Sequence, residues 1–376
     1  MFDEAITSVS DADAAPGTLA VIFDKSRAFA AVGLWDPSSP IRLRVLHVGK
    51  PRQVDQAFWN ERIATAHSVR AGLSNAGSTG WRWVHGENDG LSGLIVDRYD
   101  RTLVVKLYTP AWLPHLRSVI DALVACEQPE RIVLRFGRNA QRHAVVSGVG
   151  LVDGMVIAGE AVEGPVLFEE NGLRFTADVI AGQKTGHFLD QRDNREYVRS
   201  IARGRNVLDV FSCTGGFTVH AAAGGARRVH SVDIAAPAIE AAKQHMALNG
   251  FNTPHDTTTG DAFGVLAELA DEGRQFDVVI IDPPSFASRA SERDGAIRAY
   301  RKLVDLGLQV TAPGGRLFQA SCSSRVSADD FVATVRAGLR ARHRVLEHEQ
   351  IFGHAVDHPI GFPEGEYLKA ITGVVR

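Results

Sequence analysis

The spacing of apolar positions changes along this chain, and the changes mark its regions. Residues 18–24, 28–34 and 41–47 are short, strand-like apolar runs. The turn clusters Asp24-Lys-Ser26 and Asp36-Pro-Ser-Ser-Pro40 separate them, which predicts a small β unit. Over 53–73, Phe58, Ile63, Ala66 and Val69 recur near helical spacing and predict a helix. A mixed stretch follows, with strands expected at 81–85, 93–96, 102–108 and 131–136 and a helix at 112–126. Residues 162–172, rich in Pro, Gly and acidic side chains, read as a connection. From about Gly172 strand and helix patterns alternate to the last residue. The expected organisation is a β domain at 1–50, an α+β domain at 51–171 and a doubly wound α/β domain at 172–376.

Composition narrows the class without naming it. Hydrophobic residues at 45% and charged residues at 23% describe an ordinary globular protein, and 376 residues suit two or three domains. The absence of an apolar run of about 18 residues predicts no membrane span. The acidic first fifteen residues lack the basic flank and apolar core of a signal peptide. Cys126, Cys213 and Cys322 are too dispersed for a disulfide framework or a metal cluster and fit a reducing cytoplasm. A net charge of −3 means that any nucleic-acid surface must be local.

The chemistry concentrates in the last domain. The apolar run 206–210 leads into Asp209-Val-Phe-Ser-Cys-Thr-Gly-Gly-Phe217, and an alanine-rich segment follows: strand, glycine turn, helix. Open parallel sheets bind ligands at the carboxyl ends of such strands. The turn is not Gly-x-Gly-x-x-Gly, which argues against a dinucleotide pyrophosphate. Asp233 falls 24 residues after Asp209, where a carboxylate can accept from ribose hydroxyls, and Asp261 ends a third strand where it could accept from an adenine amine. Three carboxylates with no Lys or Arg in the turn point to a cationic, hydroxyl-bearing ligand, S-adenosylmethionine. Each aspartate alone would also serve as a helix cap. The expected cofactor contacts are Asp209, Phe211, Ser212, Thr214 and Gly215 in the first motif, Asp233 with Ile234, Asp261 with Ala262, and Asp282. No metal site is expected.

The apolar strand 276–281 ends in Asp282-Pro-Pro-Ser-Phe286. Paired prolines fix an extended backbone and leave carbonyls facing outward, a rim suited to the exocyclic amine of a planar base. Pro283, Pro284, Ser285 and Phe286 are therefore candidate substrate contacts. Ser321-Cys-Ser-Ser324 ends the fifth strand, and by sheet topology it should reach the same crevice. A thiolate there could add to carbon 6 of a pyrimidine and make carbon 5 nucleophilic. Nitrogen methylation needs no such cysteine. Cys213, in the glycine turn, is the rival thiol but is better placed to pack beside the cofactor.

These motifs carry a resemblance. Together with Gly182-Gln-Lys-Thr-Gly-His-Phe-Leu-Asp-Gln-Arg-Asp-Asn-Arg195, His85-Gly-Glu-Asn-Asp-Gly-Leu-Ser-Gly-Leu-Ile-Val-Asp-Arg98, Asp357-His-Pro359 and Glu364-Gly-Glu-Tyr-Leu-Lys369, they resemble the bacterial RlmI-like family of class I S-adenosylmethionine-dependent methyltransferases. The resemblance implies a Rossmann-like sheet of seven mostly parallel strands, S-adenosylmethionine as cofactor, and 5-methylcytosine formation in large-subunit (23S) ribosomal RNA or its precursor. It also implies Cys322 as nucleophile, Asp282 as the acid that holds the cytosine edge, and Gln183-Lys184-Thr185 as a strand lying over the cofactor. Three positions depart from the pattern. Only the later half of the family's PUA-like RNA-binding domain is recognisable, from about Pro16 to His47. Cys213 and His187 each stand where an aromatic residue is usual.

Other readings stay open on the residues alone. Asp282-Pro-Pro-Ser285 also suits an RNA purine N-methyltransferase, with Cys322 as packing. A silent RNA-binding scaffold is the reading from another class. Arg131, Arg135, Arg138, Arg142 and His143 form a candidate phosphate contact, and Trp81 and Trp83 could stack on bases, although period two favours the core. The sequence also leaves a homodimer open.

Overall fold

The computed structural model describes residues 1–11, 13–146 and 150–376. The chain forms two compact units. The first comprises Met1–Gly172, Thr176–Leu189 and Asp357–Gly361, and the second comprises Leu173–Phe175, Asp190–Val356 and Phe362–Arg376.

In the first unit, β1 (Leu19–Phe23), β2 (Phe29–Trp35) and β3 (Leu43–Val48) make an antiparallel three-stranded sheet. A second sheet has the order β4 (Gly80–His85), β5 (Leu94–Tyr99), β6 (Thr102–Leu107), β7 (Arg131–Phe136) and β8 (Met155–Gly159). Only β6 and β7 run parallel in it, and the Leu116–Glu127 helix makes the crossover that this pairing requires. The Gln56–Arg70 helix starts at Asp55, whose carboxylate accepts from the Phe58 amide at 3.0 Å, a cap that stabilises by ~1 kcal/mol. Phe58, Trp59 and Ile63 from this helix and Val119 and Leu123 from the crossover helix are packed in one core with Trp83, Val96, Val105 and Leu134.

Several expectations change here. Trp81 and Trp83 are buried and present no face to a base. β7 is an interior strand, and its arginines are engaged. Arg131 pairs with Glu130 and Glu160, while Arg135 is buried and binds Asp153 and the Val179 and Gly182 carbonyls. Neither is available to a phosphate in this arrangement. Arg138, Arg142 and His143 lie on a helix, Arg138–Val146, rather than on the expected loop. The β8 strand was not expected. The supposed connection at 162–172 contains β9 (Val166–Glu170), which with β10 (Leu173–Ala177) carries the chain towards the second unit.

The second unit holds the doubly wound sheet. Its strands are β11 (Asn206–Val210), β12 (Arg228–Asp233), β13 (His255–Thr259), β14 (Phe276–Ile281), β15 (Thr311–Ser321), β16 (Leu346–Phe352) and β17 (Lys369–Val375). Their order is β13-β12-β11-β14-β15-β17-β16. The first five pair in parallel, and β17 lies antiparallel between β15 and β16. Strand order reverses between β11 and β14, so this sheet has its ligand crevice at the carboxyl ends of those two strands. The motifs after Val210, Asp233, Ile281 and Ser321 all follow carboxyl ends. Among the described residues, no helix is long and apolar enough to cross a membrane.

Candidate active site

The glycine turn is built around reversed backbone. Phe211 and Cys213 have φ of 64° and 47°, and Gly215 has φ of 79°. A Cβ on Gly215 would stand 2.7 Å from the Ala242 Cβ, so only glycine lets the turn approach the Ala236–Leu248 helix. Two buried histidines support the turn from behind. His220 Nδ1 donates to the Gly216 carbonyl at 2.9 Å, and His245 Nδ1 donates to the Thr214 carbonyl at 2.8 Å. Burial lowers the proton affinity of both, to about 3 for His220, which keeps these rings neutral donors.

Asp209 is fully buried. Its Oδ2 accepts from the Thr218 hydroxyl at 2.7 Å, and a polar chain continues through Ser231 to His255. Burial pushes its carboxyl up to about 7, against the opposing effect of the Thr218 hydrogen bond. Its Oδ1 and the Ser212 hydroxyl are buried without a hydrogen-bond partner among the described residues. Asp233 accepts the Cys213 amide on Oδ2 and the Ala235 amide on Oδ1, both at 2.9 Å. Ile234 beside it is 73% exposed, an apolar side chain in water at the mouth of the crevice. Asp261 caps the Ala262–Asp271 helix by accepting the Gly264 amide, and Ala262 is buried as the first residue of that helix. The capping role weighed from sequence is therefore real for Asp261.

These features fit S-adenosylmethionine. The unmet acceptor of Asp209 suits an ammonium donor, Asp233 retains acceptor capacity for ribose hydroxyls, and Ile234 offers an apolar face. Cys213, which burial and then the carboxylates of Asp233, Asp282 and Asp209 push up, stays a thiol and suits packing rather than attack.

Strands β14 and β15 bring the remaining candidates together. Cys322, half-buried, has its Sγ 3.8 Å from the Pro283 carbonyl oxygen. Asp282 accepts from Gln191 Nε2 at 2.8 Å, and Asn194 in turn donates to Gln191 Oε1 at 2.5 Å. Ser285 and Phe286 are tied to the loop after β15, since the Ser323 hydroxyl accepts the Phe286 amide at 3.0 Å and the Ala287 amide at 3.3 Å. The Ser285 hydroxyl lies 3.4 Å from that of Ser323. The fully buried Tyr300 closes the arrangement. Its hydroxyl lies 2.7 Å from both Ser321 Oγ and Ser323 Oγ, the two residues flanking Cys322.

Gln191, Asn194, Tyr300 and Lys369 were missed as site residues. Gln191 and Asn194 lie inside a quoted motif, but nothing in their spacing ties them to Asp282. Tyr300 reads as an ordinary apolar position of an amphipathic helix. Lys369, buried at the head of an apolar strand, is the one that left a signal, because a lysine there needs compensation.

Gln183, Lys184 and Thr185 belong to the first unit. There the Thr185 hydroxyl donates to Asp97 Oδ2 at 2.5 Å and meets the Tyr99 hydroxyl at 3.0 Å. The Lys184 carbonyl accepts from Lys106 Nζ at 2.8 Å, and its ammonium lies over the Phe188 ring at 4.2 Å. His187 is buried against Phe168, with Nε2 3.9 Å from the Glu170 carboxylate.

Comparison with known proteins identifies the family. Residues 102–359 match the S-adenosylmethionine-dependent methyltransferase family model, and residues 1–47 match a PUA-like domain. A ribosomal RNA large subunit methyltransferase of Deinococcus radiodurans is 48% identical over 362 residues, covering 95% of this chain and 88% of that protein. Ribosomal RNA large subunit methyltransferase I of Shewanella amazonensis is 37% identical, covering 91% and 87%. A methyltransferase crystallised with SAH shares the fold at a TM-score of 0.82 and 20% identity, over 96% of this chain and 92% of that one. The chain belongs to the RlmI-like family of S-adenosylmethionine-dependent methyltransferases, with S-adenosylmethionine as its cofactor.

Proposed function

We propose that this protein methylates carbon 5 of a cytosine in large-subunit ribosomal RNA through a covalent adduct on Cys322. The observation that carries the reading is the 3.8 Å approach of Cys322 Sγ to the Pro283 carbonyl, which unites a thiol with the rim suited to a base edge. The relatives named as ribosomal RNA large subunit methyltransferases support the substrate class.

S-adenosylmethionine would supply an electrophilic methyl group and would be held in the second unit by Asp209, Phe211, Ser212, Thr214, Gly215, Asp233, Ile234, Asp261, Ala262 and Asp282. The target base leaves its stack to enter the crevice. Asp282, held by Gln191, accepts from the amino group on the edge of the base, and Pro283, Pro284, Ser285 and Phe286 shape the rim. The Cys322 thiolate forms a bond to carbon 6 and transfers electron density to carbon 5. After methyl transfer, a water molecule or hydroxide would take the carbon-5 proton, the freed electron pair would re-form the carbon 5–carbon 6 double bond, and the carbon 6–sulfur bond would break to release the thiolate. The PUA-like region in the first unit contributes RNA binding.

The test is nucleoside mass spectrometry of ribosomal RNA incubated with isotopically labelled S-adenosylmethionine, using wild type and Cys322→Ala. Label in 5-methylcytidine that vanishes in the variant supports the reading. Cytosine methylation that persists in Cys322→Ala refutes the adduct. Label in a methylated purine moves the chemistry to nitrogen.

A further inference from the structure

Lys369 opens β17 and is 1% exposed, yet the mechanism above makes no use of it. Its Nζ donates to three carbonyl oxygens, those of Ser323 at 2.5 Å, Val326 at 2.5 Å and Tyr367 at 3.1 Å. An ammonium has three protons, so three acceptors satisfy it fully. A neutral amine in the same place would turn its lone pair on a carbonyl lone pair. The geometry therefore selects the cation, although burial pulls this amine down to about 8. A general-base role is excluded by the same count, because no acceptor lone pair is left.

Two of the three carbonyls belong to the loop that begins at Cys322. In the ladder, Lys369 stands directly opposite Ser321. The charges of Lys369 and Cys322 act on one another, and Glu366 also faces the amine. Tyr300, from the Arg293–Val310 helix, feels the charges of both Cys322 and Asp282, the latter at the end of β14. Burial keeps the Tyr300 phenol neutral, and the Asp282 carboxylate opposes a thiolate.

We propose that Lys369 is a positioning residue for the Cys322 nucleophile: its buried ammonium clamps the loop from Cys322 to Val326 by its carbonyls and favours the thiolate over the thiol. The proposal rests on the reading of Cys322 as nucleophile and adds the group that makes a cysteine beside Asp282 reactive near neutral pH. A merely structural lysine would hold the loop without shifting the thiol's titration.

The experiment is alkylation of the full-length protein by iodoacetamide from pH 6 to 10, with the Cys322 peptide quantified by mass spectrometry. In the wild type, the rate at Cys322 should titrate below the free-thiol value of ~8.5. In Lys369→Met the midpoint should rise by about one unit, which is roughly tenfold slower alkylation at pH 7, with the two rates converging at pH 10. Lys369→Arg, which keeps the charge, should recover part of the shift. A wild-type midpoint at or above ~8.5 overturns the proposal without any variant. So does a Lys369→Met protein with the wild-type profile. Retained cytosine methylation in Cys322→Ala would defeat the adduct reading alone, since alkylation does not require turnover.

Discussion

Replacing Tyr300 by Phe removes one oxygen from the best-connected point of the crevice. The phenol hydroxyl accepts from Ser321 Oγ and bonds to Ser323 Oγ, each at 2.7 Å, in a fully buried setting. The ring itself stays packed, 5.2 Å from both Phe286 and Phe331, so little cavity forms. Two buried hydrogen bonds at ~0.5–1.5 kcal/mol each give an expected loss of about 1–3 kcal/mol. The spared cost of burying the hydroxyl pulls the value towards the lower end. Urea unfolding read by far-ultraviolet dichroism and by fluorescence should show the lower midpoint, with two probes because a chain of two units need not unfold in one step. Methyl transfer at saturating cofactor should fall as well, since both serines freed by the change flank Cys322. Unchanged midpoint and unchanged turnover together would refute the clamp. A loss of turnover at full stability would instead show that the hydroxyl orders the thiol without holding the fold.

The remaining predictions concern the cofactor turn and Asp282. Asp209 has a folded pKa of about 7 against an ordinary 3.8, so the native state binds the extra proton between those values. Cofactor-free protein should therefore gain stability as pH falls through 7, with the gain complete near 4, and Asp209→Asn should flatten the profile of melting temperature against pH. Cofactor affinity, measured by calorimetry, should weaken over the same descent as the carboxylate is neutralised. Gly215→Ala combines a φ of 79° with a contact of 2.7 Å to the Ala242 Cβ, and it should cost roughly 1–3 kcal/mol in urea unfolding. Gln191→Leu removes the donor that orients Asp282 and should lower methyl transfer about tenfold while leaving the cofactor dissociation constant within about twofold.

The parts of this site visible in the sequence are those coded by neighbours. The strand, turn and helix at Asp209–Phe217 need only local apolar runs and glycines, and Asp282-Pro-Pro-Ser285 announces itself by a proline pair. The parts that were not visible depend on distant partners. Gln191 meets Asp282 across 91 residues, and Tyr300 meets Ser323 across 23. Arg135 shows the converse error. Its charge suggested a surface, but Asp153 and two backbone carbonyls make burial tolerable, and no spacing rule reveals such compensation. Trp81 and Trp83 illustrate when the pattern does suffice, because period-two aromatics between two layers have nowhere else to go.

Strand β17 is synthesised after every other strand of its sheet, yet it occupies an interior lane between β15 and β16. Until those residues emerge from the translating ribosome, β15 has an open edge and Lys369 is absent from the loop that bears Cys322. A chain that stopped before Lys369 would leave β15 with a naked edge, open to strand pairing with another chain. Protection of that edge thus arrives with β17, a strand of only seven residues.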